Sequence, residues 1–384
     1  MRFKFLFLII LCFLLTGCGK NIAIIEVNNN LSFEYGTDIY LHDLINITDG
    51  YIINDTLINY ENIGPLTVNI DYIDIKKHKD SIKVDINLID TTAPILNISS
   101  NIYTTLGNEV NICKSGFYGD NADRNLTCQV SGEYDINNLG IYNLKVDIID
   151  DSNNVTSKNI KLHVVDEMNY SEPTIIEDNL EEMILKYKTD KTMIGIDVST
   201  FQGDIDWQLV KNSGIEFAII RIGYGHTNDG LILDNNAIKN LTEAKNVGLK
   251  IGGYFYSYAT EIWEAEEQAN FIVDNLKDFK FDLPIAFDYE DWSKFNTYNI
   301  NFYDINRVAK RFMQILEDNG FKSMIYGSKY YLNTVWNIDE YPTWLAHYTY
   351  NTDYDKEYFL WQFTNTGIVP GINSYVDLDI LYLE

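Results

Sequence analysis

The chain has 384 residues, of which 46% are hydrophobic and 14% aromatic, and its formal net charge at pH 7 is −27. This length predicts two or three domains rather than a single core. The strongly negative charge excludes nucleic acid as an expected partner, because the phosphate backbone would repel the protein. An anionic cell envelope would repel it too, so attachment there would require a lipid or specific contacts.

The first residues have the three parts of an export signal. Two basic residues precede an apolar run from Phe5 to Leu15, which is too short to span a bilayer, and small residues follow it. The stretch LTGC that ends at Cys18 resembles a bacterial lipobox, in which the cysteine becomes the lipidated first residue. We therefore predict a signal peptide over 1–17, a lipidated N-terminus over 18–21, and a location on the outer face of the cell membrane.

Residues 22–166 follow a period of two, as in SIKVDINLID, which is typical of antiparallel strands. An internal repeat supports this interpretation, because NIG at 62–64 recurs 76 residues later as NLG at 138–140. We predict two tandem all-β sandwich modules, a first module over 22–90 and a second module over 91–166. The second module resembles bacterial immunoglobulin-like modules, and the first is a more degenerate copy.

The second module contains Cys113 and Cys128, which remain after one cysteine is assigned to the signal peptide and one to the lipid. An even pair in an exported chain predicts a disulfide, and two reduced buried thiols are the alternative. Neither the cysteines nor the five histidines have metal-ligand spacing, so we expect no metal and no other cofactor.

Asp120, Asn121 and Asp123 form an acidic stretch in the second module. Such residues can ligate calcium, but they are also common in surface turns, and we favour a turn. We expect both modules to serve as spacers between the anchor and the rest of the chain.

Residues 167–192 combine proline, charge and a short amphipathic stretch, which predicts a linker with one helix. Over 193–384, apolar runs such as MIGIDV, FAIIRIG and LPIAFDYE alternate with segments of helical period. Eight such runs in a strand–helix rhythm predict a closed parallel β/α barrel with some short or missing helices. An open doubly wound sheet is the alternative.

Polar residues end these apolar strands, and the working face of a parallel barrel lies at the C-terminal ends of its strands. In chain order they are Asp197, Arg221, Tyr256, Tyr258, Asp288, Glu290, Tyr326, His347, Gln362, Asp377 and Asp379. A single carboxylate at a strand end often caps the next helix. Several acids on one rim indicate a functional site instead, because like charges in a cleft cost free energy.

Asp288 and Glu290 are two residues apart on the fourth predicted strand, so their carboxyl groups point to the same side. Close carboxyl groups push their pKa values apart, so that one stays protonated while the other stays ionised. Cleavage of a glycosidic bond requires one protonated and one ionised carboxyl group. The sequence has no nucleophilic serine elbow, no Gly-rich phosphate loop and no zinc signature. We therefore predict a glycosidase.

Six stretches of the C-terminal half occur in the order of a known family: GIDVSTFQGDIDW, FAIIRIGYG, IGGYFYSY, LPIAFDYE, TWLAHY and WQFTNTGIVPGINSYVDLD. Through them, residues 191–384 resemble the family 25 glycoside hydrolases, which are lysozyme-type muramidases. The resemblance implies cleavage of the β-1,4 bond between N-acetylmuramic acid and N-acetylglucosamine. It also implies that peptidoglycan glycan strands are the partner.

The resemblance also implies roles for the site residues. Glu290 matches the proton donor, and Asp288 matches the partner that stabilises the transition state or orients the acetamido group of the substrate. Asp197 and Asp377 match two further acidic positions. The substrate-binding residues that we predict are Tyr256, Tyr258, Arg221, Tyr326, Trp344, His347, Gln362 and Asp379. For Trp344, a core position is the alternative.

The chain departs from many family members at Asp379, where they have asparagine. Asp379 either adds a negative charge near the site or is a solvated strand end, and we favour the strand end. The family 18 chitinases also place acids on the fourth strand, but they need a third one where this chain has Ala286. Acetamido-assisted, covalent and inverting hydrolysis all stay open.

Two further functions compete with an enzyme. A cell-wall binding lipoprotein with an inactive barrel would be favoured by loss of Glu290 or Asp288, and both are present. A structural stalk protein would not explain the acidic rim. We expect a monomer that is attached to the membrane by its lipid. If the two modules are a stalk, their removal should spare activity on soluble glycan fragments.

Overall fold

The computed structural model describes residues 21–168, 176–226 and 230–383. The predicted signal peptide and the lipid site at Cys18 lie outside these residues. The chain divides into two compact units, residues 1–90 and 91–384. In the described part of the chain, no helix is both long enough and apolar enough to cross a bilayer.

The first unit consists mainly of β-strands. They are β1 (Ile24–Val27), β2 (Ser32–Glu34), β3 (Ile45–Thr48), β4 (Gly50–Ile52), β5 (Gly64–Asp74) and β6 (Lys79–Ile89). β5 and β6 form an antiparallel hairpin within a sheet of order β2-β6-β5-β4, and β1 pairs with β3. Every second residue of β5 from Val68 onward is buried, so the predicted period of two is the alternation between core and solvent.

The second unit begins with strands that repeat those of the first. They are β7 (Ile95–Ile98), β8 (Asn101–Thr105), β9 (Gly116–Gly119), β10 (Thr127–Ser131), β11 (Gly140–Ile149) and β12 (Val155–Val165). In both modules a hairpin is flanked by a parallel edge strand on one side and an antiparallel strand on the other. The sequence repeat is therefore a repeat of structure, while the immunoglobulin-like class of the modules stays a prediction.

Cys113 and Cys128 form a disulfide whose Cα atoms are 6.0 Å apart. The carboxylate of Asp120 accepts the backbone N–H groups of Ala122 and Asp123 at 2.8 and 2.9 Å. These bonds form a turn, but Asp120 is buried, at 1% exposure, so the expectation of a surface turn is wrong at this residue. The calcium alternative stays a prediction.

The remainder of the second unit is a barrel. Its strands are β13 (Asp178–Asn179), β14 (Thr192–Val198), β15 (Phe217–His226), β16 (Gly230–Leu233), β17 (Lys250–Ser257), β18 (Ile285–Tyr289), β19 (Ser323–Ser328), β20 (Thr343–Ala346), β21 (Leu360–Ile368) and β22 (Val376–Tyr382). Eight of them close a ring in the order β14-β15-β17-β18-β19-β20-β21-β22. The alternative of an open sheet is therefore wrong.

Helices occupy most connections of the barrel. They are α1 (Leu180–Tyr187), α2 (Trp207–Asn212), α3 (Ala237–Asn246), α4 (Ile262–Leu276), α5 (Phe302–Asp318) and α6 (Lys329–Thr334). The structure also has 3-10 helices at Leu41–Asp43, Ile112–Lys114, Thr200–Gln202 and Asp291–Thr297. All five residues of β18 are buried, because a parallel strand covered by helices has no solvent face.

The prediction of a wholly parallel barrel needs a correction at its last strand. The ring from β14 to β21 is parallel, but β22 runs antiparallel to both β14 and β21. The short connection 369–375 contains no helix to carry the chain back across the barrel, so β22 must run in the opposite direction. Asp377 therefore lies near the start of β22, where it pairs with Asp197.

The second half of the segment predicted as a linker, 167–192, is part of the barrel domain. It contains the expected helix, α1, and the short strand β13 pairs with β21. Leu180 and Met183 are buried in the barrel core, and Tyr187 packs against it. The linker interpretation is therefore wrong for 176–191, because these apolar side chains need the barrel to cover them.

The second module packs against the barrel as well. Phe117 of β9 belongs to the same apolar core as the barrel residues. The backbone N–H of Phe302 donates to the carbonyl oxygen of Asp120 at 2.7 Å. The expectation of a spacer is wrong for the second module, because a free stalk would expose Phe117 to water.

Candidate active site

A cavity of about 240 Å³, here named the acid cavity, lies at the C-terminal ends of the parallel strands. All four predicted catalytic acids line it: Asp197, Asp288, Glu290 and Asp377. Strand register brings them together, because Asp197 pairs with Asp377, and Asp288 lies between Tyr256 and Tyr326 on the neighbouring strands. The rule about strand ends therefore holds for Asp197, Asp288 and Glu290, while Asp377 reaches the cavity from the start of the antiparallel strand β22.

A second cavity of about 610 Å³, the side cavity, adjoins the first. The two share Glu290, Tyr326 and Tyr348. The side cavity is further lined by Ser328, Lys329, Tyr330, Asn333, Thr334, Ala346 and His347. Glu290 thus stands where the two cavities meet, which is a suitable position for a group that acts on a bond between two neighbouring sugar units.

Gln362 organises one side of the acid cavity. Its amide nitrogen donates to the carboxylate of Asp197 at 2.7 Å. Its carbonyl oxygen accepts the hydroxyl groups of Tyr326 and Tyr348 at 3.0 and 3.1 Å. These bonds fix the orientation of the Gln362 amide and connect the floor of the acid cavity to two tyrosines of the side cavity.

Asp379 is fully buried, with a relative exposure of 0%. The indole N–H of Trp344 donates to it at 2.9 Å, and its carboxyl group interacts directly with that of Asp197. The interpretation of Asp379 as a solvated strand end is therefore wrong. Burial and the charge of Asp377 raise its pKa to about 8, so a largely neutral carboxyl group accounts for its tolerance beside other acids.

The pKa values of Asp288 and Glu290 are both raised. For Asp288 the causes are burial and then the charges of Glu290 and Asp197, and the guanidinium of Arg221 opposes them. For Glu290 the cause is partial loss of hydration among the residues around it, and because its side chain is exposed at the cavity mouth this effect is weaker than at the buried Asp288. Burial and the charge of Asp197 also raise the pKa of Asp377, to about 9.

Glu290 interacts electrostatically with groups from several elements. Those whose pKa values its charge raises are Asp197, Asp288, Asp377, Tyr256, Tyr326, Tyr331 and Tyr348. A site with this many acids cannot ionise fully at neutral pH, so it retains protons that are available for acid catalysis.

The other predicted residues differ in their positions. Arg221 lines the acid cavity and is held by Asp234 through a bond from Nε at 2.9 Å. His347 lines the side cavity, while Tyr258 packs edge-on against Tyr256 and lines neither cavity. Trp344 lines the acid cavity, as expected of a substrate-binding residue, but it is also nearly fully buried, as expected of a core residue.

Three aromatic residues that line the acid cavity were missed in the sequence: Phe201, Tyr254 and Tyr348. Tyr254 precedes Tyr256 by two residues on β17, so the period of two would have indicated that both face the cavity. Phe201 lies in a 3-10 helix and is 77% exposed, with the guanidinium of Arg221 4.9 Å from its ring centroid. Loop residues of this kind give no periodic signal.

The raised pKa of Asp379 predicts a pH-dependent stability. A carboxyl group with a folded-state pKa of about 8, against an ordinary 3.8, stabilises the fold most at low pH and loses this contribution as pH rises through 8. Asp379→Asn keeps an acceptor for Trp344 and does not titrate. Between pH 6 and pH 9, we expect the barrel's melting temperature to fall by about 5–10 °C less in this variant than in the parent chain.

Thermal unfolding at a series of pH values measures this difference. Asp274→Asn, at an exposed position of α4, serves as the control and should follow the parent chain. Parallel pH curves for Asp379→Asn and the parent would contradict the assignment of a largely neutral Asp379.

Comparison with known proteins places this site in a family. Residues 196–372 match the family described as Glycosyl hydrolases family 25. The chain is 30% identical over 199 residues to protein YegX of Escherichia coli O157:H7, across 49% of this chain and 69% of YegX. It is 28% identical over 191 residues to the autolytic lysozyme of Clostridium acetobutylicum, across 49% of this chain and 55% of that protein.

Among solved structures, the fold is similar to that of a family 25 glycosyl hydrolase from Bacillus anthracis. The TM-score is 0.45 and the sequence identity is 23%, and the match covers 52% of this chain and 93% of that one. Residues 196–372, which match the family, contain the acids Asp197, Asp288 and Glu290 described above. Through its C-terminal half, this chain belongs to the glycosyl hydrolases family 25 and is a glycoside hydrolase.

Proposed function

We propose that this protein is a muramidase that hydrolyses the β-1,4 bond between N-acetylmuramic acid and N-acetylglucosamine in peptidoglycan. The observation that carries the proposal is the convergence of Asp197, Asp288, Glu290 and Asp377 on the acid cavity, with Glu290 at its junction with the side cavity. A polymer that lies across both cavities would present a glycosidic bond to Glu290. The relationship to the autolytic lysozyme supports the same substrate.

Glu290 is the general acid in this mechanism. Its raised pKa favours the protonated carboxyl group, which is the form that donates a proton to the glycosidic oxygen as the bond breaks. Burial and then the charges of Glu290 and Asp197 raise the pKa of Asp288, and the guanidinium of Arg221 opposes them. We assign the negative charge of the pair to Asp288 because this residue matches the charge-stabilising partner of the family. The ionised Asp288 then stabilises the positive charge that develops on the sugar ring.

Asp288 has a second feature that supports its role beside the sugar. Its Oδ1 atom is buried and receives no hydrogen bond from the residues that the structure describes. A buried carboxylate oxygen without a donor costs free energy, and a substrate N–H group would satisfy it. The acetamido group of the substrate offers such an N–H, and this supports acetamido-assisted hydrolysis over the covalent and inverting routes.

Aromatic side chains around the cavities supply surfaces for the sugar rings. Phe201 and Tyr348 are exposed and line the acid cavity, and Tyr256 is partly buried beside them. Flat apolar ring faces pack well on sugar rings, while the tyrosine hydroxyl groups provide hydrogen bonds. We assign the glycan strand to this surface.

The test is to digest purified peptidoglycan with the full chain and to identify the new reducing ends after borohydride reduction. A muramidase exposes N-acetylmuramic acid as the new reducing end, and borohydride then reduces that end to its alditol. Reduced N-acetylglucosamine instead would show a glucosaminidase, and an absence of new reducing ends would refute hydrolysis of this polymer.

We also propose that the mature protein is a monomer anchored to the outer face of the cell membrane by lipid on Cys18. The lipobox-like sequence supports this, and a diacylated anchor would hold the protein stably. Cys18→Ser should therefore release the protein from the membrane fraction into the medium, with the activity of the barrel unchanged. Fractionation followed by immunoblotting measures this, and retention in the membranes after a high-salt wash would argue against the anchor.

A further inference from the structure

The second module contacts the part of the barrel that directly follows Glu290. Phe117 on β9 is 6% exposed, and its ring lies among those of Trp292, Phe295 and Tyr331, with centroids 5.7, 5.6 and 5.2 Å away. Trp292 and Phe295 belong to the 3-10 helix Asp291–Thr297. A residue of the β-module thus fills the centre of an aromatic cluster in the barrel.

The contact has the features of a specific interface. A Cβ atom at Gly119 would come within 2.5 Å of the ring of Phe302, so only glycine allows the module this close. Arg124 donates from Nε and Nη2 to the two carboxylate oxygens of Asp304 at 2.7 and 3.0 Å. The buried side chain of Asn301 donates to the carbonyl oxygen of Ala122. Apolar packing, a paired charge and a buried hydrogen bond therefore fix one docking geometry.

The aromatic cluster connects this interface to the catalytic acid. Trp292 stacks on Tyr331 of α6 at 4.1 Å and packs edge-on against Tyr289 of β18 at 4.9 Å. The backbone N–H of Trp292 donates to the carbonyl oxygen of Glu290 at 2.8 Å. Phe117 thus packs on the residue that is bonded to the backbone of Glu290, and on the helix that borders the side cavity.

We propose that the second module is a structural part of the active site, and that Phe117 is a positioning residue that holds Trp292, and through it Glu290, in place. This proposal rests on the proposed function, since it assigns Glu290 as the acid. Phe117 contacts the rings of Trp292, Phe295 and Phe302, so the module supplies part of the apolar surface that buries them. Without that surface, the segment after β18 would lose the packing that orients the acid.

The test uses the full chain and soluble glycan fragments, so that the anchor and the reach to the wall play no part. We expect Phe117→Ala to lower kcat by about 10- to 100-fold with little change in KM, because the acid is misplaced while the sugar-binding surface remains. Phe117→Leu should restore a large part of kcat. Gly119→Ala, which forces the module away from Phe302, should act like Phe117→Ala. Tyr103→Ala removes a 51% exposed ring of the same module and should have no effect.

Two further measurements separate positioning from general destabilisation. A loosened segment packs less closely around Glu290, so its carboxyl group gains further hydration and its pKa falls towards the ordinary value. The alkaline limb of the pH–kcat profile should therefore move to lower pH in Phe117→Ala. Amide exchange should increase at residues 289–298 and stay unchanged in α3 and α4.

An unchanged kcat in Phe117→Ala and Gly119→Ala would overturn the proposal, as would exchange that increases equally throughout the barrel. If the parent chain itself fails to cleave the fragments, the proposed function is refuted. In that case the local exchange measurement still decides whether Phe117 orders the segment after Glu290.

Discussion

Glu290→Gln should abolish detectable hydrolysis and leave the fold intact. Glutamine has the same shape but cannot donate the proton that the departing sugar oxygen needs, and loss of a general acid lowers rates by about 10²- to 10⁴-fold. The side chain is exposed and not in the barrel core, and the amide cannot acquire the negative charge that opposes ionisation of Asp288 and Asp377. We therefore expect the melting temperature to stay the same or to rise.

The measurement is kcat on soluble glycan fragments, together with calorimetric binding of the same fragments. Binding should survive in Glu290→Gln, because the aromatic surfaces and Gln362 are unchanged. Glu317→Gln provides a matched control, since Glu317 is exposed on α5 and lines neither cavity. Turnover near that of the parent chain would remove Glu290 from the mechanism.

Asp288→Asn should lower kcat by about 10²- to 10³-fold, because the charge that stabilises the developing cation is lost. The variant also tests which member of the pair carries the charge. Repulsion between two like charges is mutual, so Asp288, as the proposed ionised member of the pair, should add to the raised pKa of Glu290. In Asp288→Asn the pKa of Glu290 should fall, and the alkaline limb of the residual activity should move to lower pH.

The pH–rate profile of this variant is compared with that of the parent chain, and with that of Asp355→Asn at an exposed position outside both cavities. A reduced rate with an unshifted limb would indicate that Asp288 is neutral in the parent chain and acts as a hydrogen-bonding group. A normal rate would refute its role beside the sugar.

Packing of the second module on the barrel changes the expected result of deleting 22–166. A stalk predicts that soluble fragments are still cleaved after the deletion. Because Phe117 fills a cluster next to Glu290, we now expect the deletion to reduce activity on soluble fragments as well. The first module, a separate compact unit, keeps its interpretation as a spacer.

Several features of the site could be predicted from the sequence because they depend on local geometry. Asp288 and Glu290 are two residues apart on a strand, and the alternation of side chains brings both into one cavity. Asp197 follows the same rule at the end of another apolar strand. The tandem repeat of hairpins could also be predicted, because each hairpin has its own period of two.

Tertiary structure decided the features that depend on residues far apart in the chain. The antiparallel direction of β22 places Asp377 opposite Asp197 and buries Asp379 beneath Trp344, and an apolar strand pattern is the same for either direction. The docking of Phe117 beside Trp292 joins residues 175 positions apart. The sequence pattern around a buried phenylalanine of a β-module is the same whether the residues that bury it belong to that module or to the barrel. The sequence by itself determined that Asp197, Asp288 and Glu290 face the cavity, because strand periodicity is local. Their protonation and the support of Glu290 were decided only by packing, because both depend on which distant groups remove water from them.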